Sequence, residues 1–180
     1  MQSPTPRVPR QPVPTRPDVD LDARLTVELA SVVSGARRRV HRDGDAQIDT
    51  AHLLHSLLET DPGVRAAFDG PQVARVLGYL VQRSIGYGLS WQGTVEDSGA
   101  VPVLREDAVT GWSPPAVTAM NHALERAARR GELRASGLDL LAALAADRSC
   151  RAVDVLERAG VDVPLLSARL LGAGRRGRQV

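Results

Sequence analysis

Asp49, His52 and His55 follow one another at intervals of three. That spacing sets side chains on one face of a helix, as ligands of a bound metal can be. No other carboxylate or cysteine nearby in sequence completes a tetrahedral set, and Asp49 stands where a helix begins. A side-chain oxygen at that place accepts from the unpaired N–H groups of the first turn. The expectation is therefore a capped, partly buried helix start and no metal. Cys150 is the single cysteine. No histidine lies close to it in sequence and no nucleophile-elbow motif is present, so it reads as buried structure. All 23 basic residues are arginine. Without lysine there is no P-loop ATPase and no Schiff-base chemistry. No catalytic residue and no cofactor is expected, and the chain is read as something other than an enzyme.

Arginine gathers at two places. Arg37, Arg38, Arg39 and Arg42 form one group, and Arg126, Arg129 and Arg130 the other. Each lies near the C-terminal end of an expected helix, where positive charge meets the negative end of the helix dipole. The same groups could face an anionic partner, and an arginine-rich helical nucleic-acid-binding regulator is the alternative reading. Neither aromatic interleaving nor a recognition-helix pattern accompanies them, and the net charge is only +2. Tyr87, Trp91 and Trp112 make up most of the few aromatics, and large aromatics are frequent at binding hot spots.

These residues must be held by helices. Hydrophobic residues make up 43% of the 180-residue chain and aromatics only 3%, so the core is built from Leu, Val and Ala. That favours packed helices over a β-sandwich. A gapless shift of 87 positions lays Thr26 on Ser113, Ala36 on Ala123, Arg39 on Arg126, Arg42 on Arg129 and Gly44 on Gly131. Leu53, Leu54 and Leu57 then fall on Leu140, Leu141 and Leu144. Each copy has a Ser/Thr cap, a long helix, a glycine stop, a short connection and a Leu-Leu-x-x-Leu helix. Pro62, Pro71 and Pro164 open later helices. The divisions that follow are a proline-rich tail over 1–22, copy one over 23–83, an inserted loop over 84–111, copy two over 112–171 and a Gly/Arg-rich tail over 172–180. A repeated helical unit implies one shared core and a surface for partners. The lone cysteine suits a reducing cytosol, no apolar run approaches the ~20 residues of a membrane helix, and the first twenty residues lack a signal-peptide core. A cytoplasmic protein is expected.

The stretch LTVELASVV…VHRDGDAQIDTAHLLHSLL, followed by WSPPAVTAMNHALERAARRGELRASGLDLLAALAADRSCRAVDVLERAGVDVPLL, resembles the N-terminal domain of Clp-type AAA+ unfoldases. Copies in that family begin Phe-Thr, where this chain has Leu25-Thr26 and Trp112-Ser113-Pro114. The segment Ile48-Asp49-Thr50-Ala51-His52-Leu53-Leu54 matches the family's Ile-Gly-Thr-Glu-His-x-Leu-Leu. Val155 to Asp162 matches its Leu-x-x-x-Gly-Val segment. The resemblance implies an all-α fold, a pseudo-twofold duplication of a four-helix repeat, and a domain that receives adaptors and substrates. In some members the motif glutamate of each copy helps hold phosphoarginine. Ala51 and Leu138 stand at those positions, and neither can pair with a cation, so that recognition is not carried over.

The resemblance, with the ATPase modules absent from this stretch, implies a stand-alone domain that binds proteins or peptides. It would serve as adaptor, decoy or substrate receptor linked to Clp proteolysis, with Clp machinery, its adaptors or a cyclic-peptide ligand as partners and no membrane. The expected peptide or adaptor site is formed by Leu25, Thr26, Trp112, Ser113 and Val117, with Trp91 closing over it. A hydrolase using 84–111 as a lid is a third reading, and no motif supports it.

Overall fold

Thr26 is extended and its hydroxyl accepts from Leu29 N at 3.3 Å, which starts helix α1, Val27–Asp43. In copy two Ser113 does the same for Ala116 N at 3.2 Å and starts α5, Pro114–Arg129. The computed structural model describes residues 21–84, Glu96 and 111–176. The proline-rich stretch 1–20, Tyr87, Trp91, most of the 84–111 loop and the last four residues lie outside the described residues.

Both first helices stop in one way. Gly44 and Gly131 take the left-handed conformation at φ 71° and 79°, which glycine adopts without the Cβ clash of other residues. Asp45 N then bonds Val40 O at 3.1 Å, and Glu132 N bonds Ala127 O at 3.0 Å. Helix α2, Thr50–Thr60, follows Asp49, and α6, Gly137–Ala146, follows Ser136. After α2 come the short α3, Pro62–Arg65, and α4, Gly70–Ser84. After α6 come α7, Arg151–Arg158, and α8, Val163–Arg176. The last helix thus runs five residues past the expected boundary at Leu171. Gly172 carries no positive φ that would end it.

The core sits around α2 and α6. Residues 50–58 of α2 are buried on every side, as expected of a helix surrounded by others. Leu53, Leu54, Leu57, Leu140, Leu141 and Leu144 are all fully enclosed. The copies interlock rather than stand side by side. Helix α2 packs on α7, and α3 packs on α6. Two isolated parallel β-bridges cross between copies, Leu25 with Ala135 and Ile48 with Trp112. These are the same contact under the shift of 87. All regular structure among the described residues is helical.

Candidate recognition site

The β-bridges decide where the expected peptide-site residues go. Leu25 is 2% exposed and Trp112 8%, each tied to the connecting segment of the opposite copy. Thr26 N donates to Ala135 O at 2.9 Å, and Ser113 N to Ile48 O at 2.8 Å. Ser113 is buried as a cap, while Thr26 and Val117 are half-buried. Leu25 and Trp112 each anchor a bridge to the opposite copy. Trp91 falls outside the described residues.

An open groove of about 450 Å³ does lie at the start of α1. Leu25, Val27, Ala30, Ser31 and Ser34 line it, with Asp22, Arg38 and Arg134 at its polar edges. Small side chains along one helix face leave the hollow. Val27 is 73% exposed, and Leu133, next to Arg134, is 94% exposed. Neither Arg38 nor Arg134 makes an ion pair with a described residue. At the corresponding positions of copy two stand Pro114, Val117, Thr118, Asn121 and Glu125, and Glu125 pairs with Arg129 at 3.2 Å.

The other arginines are mostly engaged. Arg39 is hydrogen-bonded to Glu59, Arg42 lies 3.0 Å from Asp43, and Arg130 grips Asp139 through both guanidinium nitrogens, one at 2.7 Å. Burial opposes ionisation of Asp139, but Arg130 and the Ser136 N–H and hydroxyl overcome it and hold the carboxyl below its ordinary range. His55 does not join Asp49 and His52. It packs 3.3 Å from Glu59, and burial together with the positive charge of Arg39 lowers its pKa to about 4. Burial pushes the Cys150 thiol up to about 11, which leaves it inert, as expected of a buried cysteine.

Asp49 caps α2, accepting from His52 N at 2.8 Å. His52 Nε2 meets Asp45 Oδ2 at 2.9 Å, and Asp43 joins the group. The sharp turn at Gly44 brings both flanking aspartates back to the start of α2.

Glu96 is the residue that sequence reasoning missed. Its carboxylate is buried and collects four donors: Thr50 N at 2.9 Å, Thr50 Oγ1 at 2.5 Å, Ser113 Oγ at 2.8 Å and Arg151 N at 2.8 Å. It thus sits at the N-termini of α2 and α7, where helix dipoles favour an anion. The cause is local. Asp61 caps α3 through Gly63 N and Val64 N, but Cys150, at the cap position of α7, makes no side-chain cap bond. Glu96 supplies the missing acceptor from a distance. In copy two the same junction is closed by Asp61 against Gly137, where a Cβ would overlap the carboxylate. Nothing in spacing distinguishes Glu96 from Asp97, Glu106 or Asp107 in the loop. The only hint was a cysteine at a cap position.

No protein-family model and no curated protein matches the sequence. Solved structures do. The N-terminal domain of the caseinolytic-protease-associated chaperone ClpD from Arabidopsis thaliana superposes with a TM-score of 0.57 at 20% identity, over 83% of this chain and 94% of that one. The Hsp104 N-terminal domain from Candida albicans gives 0.59 at 14% identity, over 82% and 89%. The fold is that of a Clp N-terminal domain. A chain from a malarial protein secretion system gives 0.59 at 13% identity, over 86% and 94%. The Clp N-terminal fold accounts for the duplicated helices and the interlocked copies. At these identities the likeness concerns the fold and leaves the groove, the Glu96 cradle and the His52 cluster to be read from this chain's own residues.

Proposed function

We propose that this Clp N-terminal fold is a recognition module that captures extended segments of other proteins in the groove beside α1. The observation that supports this reading is the groove itself. It has an apolar lining of Leu25, Val27 and Ala30, and at its edges the guanidinium groups of Arg38 and Arg134 outnumber the Asp22 carboxylate. Apolar burial supplies affinity and fixed cations supply selectivity, so the preferred segment carries a large apolar residue beside a carboxylate. The ClpD neighbour is a protease-associated chaperone. By analogy the captured protein would be a substrate or adaptor of Clp-type proteolysis, with this chain as adaptor, decoy or receptor. No P-loop lysine is present, so the stretch binds without hydrolysing nucleotide in the P-loop manner. A cytosolic setting goes with this role, Cys150 being a free thiol. Phosphoarginine is not the ligand, because Ala51 is buried and Leu138 is apolar. Nucleic acid is disfavoured because so many helix-end arginines are already paired with carboxylates.

Fluorescence anisotropy with labelled unstructured peptides, acidic–apolar against basic–apolar, tests the proposal. The acidic set binds, and Arg38→Glu with Arg134→Glu weakens it by at least about tenfold, the loss of ~1.4 kcal/mol, while helicity is unchanged. Equal affinity for both sets, or preference for DNA with a steep salt dependence, would contradict it.

A further inference from the structure

We propose that Asp43, Asp45 and His52 form a binding site for a divalent transition-metal ion that clips the end of α1 to the start of α2. One ligand atom from each lies within 4.8 Å of the others. The imidazole is 1% exposed, and its Nε2 has no hydrogen-bond partner although it stands 2.9 Å from Asp45 Oδ2. The other ring nitrogen, Nδ1, lies 2.7 Å from Asp49 Oδ1 and 3.2 Å from Asp49 N. Without a metal, Nδ1 accepts from Asp49 N in the capping box of α2. Asp49 is itself fixed by Arg151 at 2.8 Å. Asp49 Oδ1 is within reach to take an Nδ1 proton once a metal occupies Nε2, the usual support of a metal-binding imidazole.

Nε2 and the Asp45 carboxylate oxygen, this close and without a hydrogen bond, leave a place for a cation between them. Two donors 2.9 Å apart, each ~2.0–2.1 Å from one ion, subtend about 90° there. That suits neighbouring positions on a five- or six-coordinate ion, with Asp43 as third ligand and water completing the shell. The imidazole selects against magnesium and calcium, which favour oxygen. Arg42 Nε, 3.0 Å from Asp43 Oδ1, is exposed and shares that carboxylate. Copy two provides the contrast. The positions of Asp43 and His52 are taken by Arg130 and Asp139, and the Arg130 guanidinium supplies the positive charge there. On binding, the metal takes the place of any proton on Nε2, which leaves to solvent.

The test uses the full chain stripped with chelator and titrated with zinc chloride by calorimetry, with cobalt(II) absorption and long-range ¹H–¹⁵N spectra of the histidine rings. The expected result is one saturable site per chain and a displaced His52 Nε2 resonance. Asp43→Asn and Asp45→Asn each weaken binding at least about tenfold, whereas His122→Ala and His41→Ala leave it unchanged. The wild-type ring spectrum keeps the proposal testable if a variant fails to fold. An unmoved Nε2 resonance on adding zinc means that the site holds only a proton, and overturns the proposal. So does binding that survives Asp45→Asn or depends on His41.

Discussion

The third residue of α2 and the third residue of α6 occupy the same place in two copies of one unit, and their chemistry is inverted. In copy one it is His52, facing Asp45 and Asp43. In copy two it is Asp139, facing Arg130 and Arg126. Both close a capping box, Asp49 with His52 and Ser136 with Asp139. The fold therefore demands a capped helix start tied to the end of the preceding helix and leaves the chemical means open. The groove repeats the lesson: Arg38 in copy one corresponds to Glu125 in copy two. Duplication fixed the scaffold, and divergence made the two faces unlike.

The largest effect should come where the copies are still alike. Leu54 and Leu141 are both fully buried, so Leu54→Asp and Leu141→Asp each bury an unpaired charge. The cost is several kcal/mol, about the whole stability of a domain, and circular dichroism should show both variants largely unfolded. One variant that melts like wild type would break the equivalence. Because the bridges and the α2–α7 packing cross between copies, residues 112–180 alone should lack a cooperative transition.

Next come the bridge residues. Trp112 is core, so Trp112→Ala should cost about 3–5 kcal/mol in denaturant unfolding, with Leu25→Ala at or below that range. Glu96→Ala removes the acceptor for Thr50 N and Arg151 N, and about 2–3 kcal/mol should be lost. Copy two closes the same junction with Asp61, so Gly137→Ala, which drives a Cβ into that carboxylate, should be destabilising as well.

A smaller effect separates the copies by pH. As pH falls below 6.5, the unfolded chain protonates a histidine that the folded chain keeps neutral at position 55 until about 4. The unfolded state then binds more protons, so stability falls with pH across that window. His55→Ala should flatten that limb in melts recorded against pH. Copy two has Ala142 there. Its Asp139 carboxyl is held below 3.8, so its contribution is complete above that range and is lost only in stronger acid.

The helices were legible because periodic leucines, caps and glycine stops act locally. Thr26, Asp49, Gly44 and Gly131 do in the structure what their types imply. The site was less legible because it depends on contacts between distant segments. Leu25 and Trp112 look alike as aligned residues at helix starts, but only the crossing bridges show that they are buried. Glu96 carried no pattern, since its partners lie 46 and 55 positions away. Asp43 and Asp45 were near His52 in sequence, yet only the turn at Gly44 brings them to its ring.

The proposed capture surface lies beside α1, with Arg134 of copy two at its edge, and not at the counterpart face beside α5. Amide NMR spectra of the full chain titrated with an acidic–apolar peptide test this most directly. Perturbations should gather on Leu25 to Arg38 and at Arg134, and leave the counterpart stretch Trp112 to Glu125 unmoved. Shifts centred on Trp112 to Glu125, or spread equally over both copies, would contradict it.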